Sequence, residues 1–258
     1  MRAYSRYKIA IFLTVLALIN VAVSAQEKPD TNAVLTKANH AYYSLKELGV
    51  NKFKCTVIPN WKKLLEENPG GLFNDSPPLN LLTQVAFSVS IDKEGAVKVE
   101  PVSNDGGTLD VRITRTVAGI QQTLIGFYQT WVSMMIQPPI PISNNNFSLT
   151  EAGSNYLYTD GSGGRIVMSN DFLISEMTAQ LPNSKIVIWP KFAKTDKGLL
   201  LTSLISDINN GEMKVSFNLH YQEIDGVQMP TNGSYIVSAS NRKLGIEVAF
   251  TKYQITKQ

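Results

Sequence analysis

The second half of the chain constrains the fold most. From Asn155 onward, turn signals recur roughly every ten to fifteen residues and nothing helical intervenes. Residues 156–158 face residues 165–168 across Asp160-Gly161-Ser162-Gly163-Gly164. Residues 172–181 are set against 185–189 across Pro182-Asn183, and 198–205 against 213–222 across Asn209-Asn210-Gly211. The chain turns again at Asp225-Gly226, and residues 233–240 and 244–255 meet at Asn241-Arg242. Such a series predicts a meander of antiparallel strands, which closes into a barrel or curls into an open one.

The first half mixes periods. Val34, Ala38, Ala41, Leu45 and Leu48 recur at spacings of three and four, predicting a helix to about Leu48 with Gly49 as its stop. A strand follows at 53–58, then a short helix at 61–68 and a Pro/Gly/Asn-rich loop at 69–80. Residues 85–91 alternate Val85, Phe87, Val89 and Ile91 inward with Ala86, Ser88 and Ser90 outward, and a hairpin returns them as 96–102. Residues 109–136 read as a long amphipathic helix ended by Pro138, Pro139 and Pro141. No charged residue occurs between Arg115 and Glu151, so this helix should be covered on both sides or rest against something other than water. The expected fold is mainly β (α+β): an antiparallel, incomplete or strongly curved β-barrel covered by amphipathic helices, one domain over residues 26–258.

The N-terminus sets the compartment. Arg2, Arg6 and Lys8 precede an apolar run over residues 9–23, and Val23-Ser24-Ala25 supplies the small residues of a cleavage site. Residues 1–25 therefore read as a signal peptide cut before Gln26, which predicts export to the periplasm or beyond. Three of the 24 basic residues and none of the 21 acidic ones fall in that segment, so the remainder is balanced. A nucleic-acid partner has no support in that balance. Cys55 is the single cysteine, so the fold must rest on its core without intramolecular disulfides.

Motifs for catalysis are not found. His40 and His220 lack metal-ligand spacing, and no second cysteine supplies a thiolate site. Gly161-Ser162-Gly163-Gly164 is followed by a strand, so it reads as a hairpin turn instead of a phosphate loop. Cys55 on its strand reads as a core residue. Asn74-Asp75-Ser76, Asn146-Phe147-Ser148 and Asn232-Gly233-Ser234 fit the glycosylation pattern, which counts only in a eukaryotic host. No catalytic residue, metal or cofactor is expected. What stands out is the helix face of Ile113, Val117, Ile120, Leu124, Phe127, Trp131, Met134 and Met135, read as the lid or wall of an apolar cavity or as a filled core. Arg112 and Arg115 stand near its start, toward an anionic headgroup or plain solvent.

His220-Tyr221-Gln222-Glu223-Ile224-Asp225-Gly226-Val227-Gln228-Met229-Pro230, followed by the run from Leu244-Gly245-Ile246 to Tyr253-Gln254-Ile255, resembles the closing hairpin and strand of the periplasmic lipoprotein carriers, the LolA/LolB-like outer-membrane lipoprotein-sorting superfamily. The resemblance implies an incomplete barrel with helices as a lid, whose hydrophobic cavity takes the acyl chains of lipids or lipoproteins. It implies no catalysis. Two rivals stand beside it: a structural or interaction module that holds an envelope protein on the same β surface, and a hydrolase whose carboxylates the fold gathers.

Overall fold

The computed structural model describes residues 30–67, 78–103, 106–141, 147–239 and 242–258. The segment read as a signal sequence with its cleavage site, the leader 26–29, most of the expected loop at 69–80 and Asn241 of the expected turn lie outside them, as do Asn74 and Asn146 of two glycosylation-pattern triplets. Contacts divide the chain after Val34, and the larger unit is Leu35–Gln258.

That unit is built on one antiparallel sheet of twelve strands. They are β1 (Val50–Pro59), β2 (Val85–Asp92), β3 (Val97–Ser103), β4 (Phe147–Ala152), β5 (Asn155–Asp160), β6 (Arg165–Ser169), β7 (Ile174–Leu181), β8 (Ser184–Thr195), β9 (Gly198–Ile208), β10 (Met213–Ile224), β11 (Val227–Ala239) and β12 (Arg242–Lys257). From β4 to β12 each strand pairs with the one before it, and β12 then pairs with β1. Phe53 stands opposite Ile255 and Val57 opposite Phe250. β2 and β3 complete the sheet, which is open, with β3 and β4 as its two ends. The fold is thus mainly β, antiparallel and not closed, as the sequence pattern implies.

Period-two alternation places the core. Phe53, Cys55 and Val57 of β1 and Val85, Phe87, Val89 and Ile91 of β2 are all buried. Ala86, expected outward, is buried too. A bulge in β12 brings one exception to simple alternation. Register shifts between Lys54 and Thr56, and Lys252 adopts φ 54°, so Phe250 and Tyr253 both reach the core.

Among the described residues four α-helices punctuate the strands: α1 (Thr31–His40), α2 (Trp61–Glu67), α3 (Leu79–Leu82) and α4 (Thr114–Met135). The 22 residues of α4 cover about 33 Å at 1.5 Å each. The sheet order requires such a span, since the chain must leave β3 at one end of the sheet and enter β4 at the other. The start is a 3₁₀ turn over Val111–Ile113, where the Asp110 carboxylate accepts from Arg112 N at 2.9 Å.

The expected first helix needs correction: it ends at His40 and not near Leu48. The next residues are needed elsewhere: Leu199 N donates to Ala41 O at 2.8 Å, and Tyr43 N donates to Leu199 O at 3.1 Å. The Tyr42 hydroxyl donates to Phe172 O and accepts from Ile174 N, while the Tyr43 hydroxyl accepts from Gln228 N. Leu45 N and Ser44 Oγ donate to Met135 O and Ile136 O, capping the end of α4. Continued helix would forfeit all of these. β4, with its short Phe147-Ser148-Leu149 alternation, precedes the strands expected from Asn155 onward.

The approach of residues 41–43 to β9 depends on Gly198. Its φ is +115°, and a Cβ there would lie 2.8 Å from Tyr42 C and 2.9 Å from Tyr43 N. Gly198→Ala should therefore destabilise the protein by at least about 3 kcal/mol, combining backbone strain with overpacking. Urea unfolding followed by tryptophan fluorescence measures it.

Candidate apolar groove beneath the long helix

One face of α4 is buried along its whole length. Ile113, Val117, Ile120, Leu124, Phe127, Trp131, Met134 and Met135 belong to the same core as the inward residues of β1, β2, β9, β10, β11 and β12. Phe127 is its aromatic centre. Its ring lies 4.9 Å from Tyr128, 5.3 Å from Phe217, 6.0 Å from Phe250 and 6.1 Å from Tyr235. Three of these contacts are edge-to-face, the arrangement that ring quadrupoles favour. Trp131 meets Phe53 edge-on at 5.9 Å.

Polar atoms in this core are paired. Trp131 Nε1 donates to the Tyr221 hydroxyl at 3.0 Å, and the Tyr253 hydroxyl donates to Pro230 O at 2.6 Å. Cys55 Sγ and the Tyr128 hydroxyl lie 3.4 Å apart. Burial pushes the Cys55 thiol up to about 11 and raises the phenols of Tyr128, Tyr221 and Tyr253 well above their ordinary range. This cluster is built to stay neutral.

Where α4 crosses β10, β11 and β12 an apolar groove remains. Thr123, Leu124 and Phe127 form one wall; Leu219, Gly233, Tyr235, Ile246, Val248 and Phe250 form most of the other. The missing side chain at Gly233 lets the walls meet, since a Cβ there would lie 2.9 Å from Leu219 Cδ2 and 3.2 Å from Phe250 Cε2. The space open to the centre of a water molecule is about 10 Å³, no more than the roughly 10–15 Å³ that one water requires. In this structure the groove is filled by its own walls.

Of the eight helix residues singled out in sequence, Leu124 and Phe127 line this groove. Ile113, Val117, Ile120, Trp131, Met134 and Met135 pack as core on either side of it. The strand residues of the far wall had no place among the sequence candidates. Gly233 was the available signal, because a glycine within a strand marks a close approach of neighbours.

The opposite face of α4 is not covered: Ala118, Gly119, Gln122, Gln129 and Ser133 are exposed among the described residues. Arg112 is spoken for, its guanidinium Nη2 lying 2.6 Å from Asp110 Oδ2, and that pairing holds the Asp110 carboxyl at about 2. Asp160 is likewise lowered, by Ser162 and by the turn N–H groups around it. A carboxyl serving as general acid needs the opposite shift. Among the described residues no three of His, Cys, Asp and Glu gather as metal ligands, and no helix is long and apolar enough to cross a membrane. Compared with known proteins, the chain matches no family model, no curated sequence and no solved structure.

The Cys55 thiol should resist iodoacetamide at pH 8 in the native protein and react only on unfolding. Its raised folded pKa favours the protonated form, so its stabilisation is complete below about 9 and is lost as pH rises towards about 11. Each unit in that window should cost about 1.4 kcal/mol. Denaturation midpoints at stepped alkaline pH, compared with Cys55→Ala, isolate the thiol's share.

Proposed function

We propose that this protein is an exported, non-catalytic carrier of the bacterial envelope that binds an acyl chain of a lipid or lipoprotein between α4 and the inner face of its open sheet. The observation that carries the reading is the groove at Gly233. It joins a long helix, uncharged after Arg115, to an apolar strand wall, and the side-chain hydroxyls that line it are those of Thr123 and Tyr235, Ser234 being turned to the other face of β11. Each acyl methylene transferred from water into such a wall contributes about 0.8 kcal/mol.

The walls of the groove meet in this structure, so loading requires α4 to lift. α4 serves as a lid over the groove, and it carries the means to bend. Gly126 stands between the groove residues Leu124 and Phe127, and a Cβ there would meet nothing within 4 Å. Packing thus gives no reason for glycine. Thr123 and Thr130 each donate to the carbonyl four residues back, on Gly119 and Gly126, at 3.0 Å. Such bonds soften a helix at those turns.

Gly126→Ala should therefore stabilise α4 by about 1 kcal/mol and raise the melting temperature by a few degrees. The same change should slow uptake of a fluorescent fatty acid several-fold. Native mass spectrometry of the wild-type protein should show a co-purifying lipid that organic extraction releases. An apo mass together with no fatty-acid uptake would sink the carrier reading.

A protein-interaction module is the second reading, and the filled groove favours it. The sheet surface then carries the function, with Trp189 and Ile205 directly opposite each other on β8 and β9 and standing 38% and 46% exposed.

A further inference from the structure

The outer face of β10, β11 and β12 carries a second groove, of about 480 Å³, on the side of the sheet away from α4. Side chains alternate between faces along a strand, so Leu219 and Gly233 point to the core and their neighbours point out. Asn218 stands directly opposite Ser234, and His220 directly opposite Asn232. The next strand continues both rows, with Glu247 beside Ser234 and Ala249 beside Asn232, and Ile58 of β1 follows Ala249. Opposed pairs stand about 5 Å apart and successive pairs about 7 Å along the strands.

Three properties define what fits. First, among the described residues no other side chain or backbone group hydrogen-bonds to the side chains of Asn218, His220, Asn232 or Ser234, and the first three are exposed. Second, each can both donate and accept, the amides through N–H₂ and C=O, the hydroxyl through its proton and lone pairs, and the neutral imidazole through its two nitrogens. Third, the one formal charge in the groove, on Glu247, is met by Lys63. An ion finds no field there. A neutral ligand with donors and acceptors on neighbouring atoms does find partners, and vicinal hydroxyls are that ligand. Beside the four polar groups, Ala249 and Ile58, the latter 40% exposed, offer a small apolar floor. A methyl carried on an amide would satisfy floor and amide side chains together.

We infer that this face is a saccharide site, and that it takes a 2-acetamido sugar whose hydroxyls meet Asn218, His220, Asn232 and Ser234 while its acetamido methyl rests on Ala249 and Ile58. The site lies across the sheet from the acyl groove, so either can hold without the other.

Isotope-labelled full-length protein should be titrated with triacetylchitotriose, and in parallel with maltotriose, zinc and inorganic phosphate. The expected result is chitotriose-dependent shifts in the side-chain amides of Asn218 and Asn232 and in the His220 ring. Asn232→Ala should weaken binding at least tenfold with an unchanged melting temperature, and Lys191→Ala, two strands from Asn218 in the Asn218–Ser234 row, should leave it unaltered. Silence up to about 10 mM chitotriose, well above a millimolar dissociation constant, overturns the inference. So does an equal response to maltotriose, which removes the acetamido assignment, or the same shifts with zinc or phosphate. Shifts confined to Leu124 and Phe127 overturn it as well, by placing the sugar in the inner groove.

Discussion

The pairing of β1 with β12 is the constraint on which the rest depends. It joins the start of the sheet to the end of the chain and so forces β3 and β4 to opposite ends. A connection between those ends must cross the face of the sheet, and an apolar helix of about 33 Å is a short way to do that without leaving backbone groups unpaired. Once α4 lies there, its apolar side has strands beneath it, and the Phe127 and Trp131 clusters follow from the side chains that face each other. Residues 41–46 complete the arrangement. In six positions they bind the start of β9, the hairpin at Gln228, the β6–β7 turn and the last carbonyls of α4.

The helix face was legible in the sequence because a period of 3.6 is a local property. The eight apolar residues that the spacing singles out between Ile113 and Met135 are all buried. The strand meander was legible for the same reason, from alternation and from turns such as Asp225-Gly226. What could not be read is anything set by chain-distant partners. Nothing near Phe53 announces Ile255, and nothing in the run from Val34 to Leu48 says that Tyr42 and Tyr43 will give up helix to hold Ile174 and Gln228. The groove is the sharpest case. Leu124 and Phe127 were identifiable from their period, but whether space remains beneath them is decided by Leu219, Gly233 and Phe250, which lie about a hundred residues away.

The polar contacts of the core say something about how firmly α4 is held. Trp131 to Tyr221 and Tyr128 to Cys55 lie in the C-terminal half of the helix, as do the caps from Ser44 and Leu45. The N-terminal half, over the groove, is held mainly by Val117, Ile120 and Leu124 in apolar contact, with Gln121 Nε2 donating to Val99 O on the edge strand β3. Apolar contacts are non-directional, and a ligand of the same character can replace them at little cost. Directional bonds must be broken before they are replaced. Under the proposed loading of the groove, a helix pinned more firmly at its C-terminal end should lift first from its N-terminal end, and Gly126 falls between the two regimes.

The same three strands form both the apolar wall and the polar outer face, which ties the two chemistries through register. A one-residue slip of β11 would turn Asn232 and Ser234 inward and Gly233 outward, ruining core and surface together. The two irregularities in this region protect against that outcome. The bulge between His220 and Tyr221 gives β11 its extra residue, so that Asn232 still faces His220 while Pro230 faces Tyr221. The bulge at Lys252 lets Tyr253 return to the core beside Cys55 after Phe250 has already done so. The second sits where regular alternation from Phe250 would have aimed the Tyr253 ring away from the core. The first keeps Asn232 and Ser234 on the outer face while Met229 and Val227 stay buried.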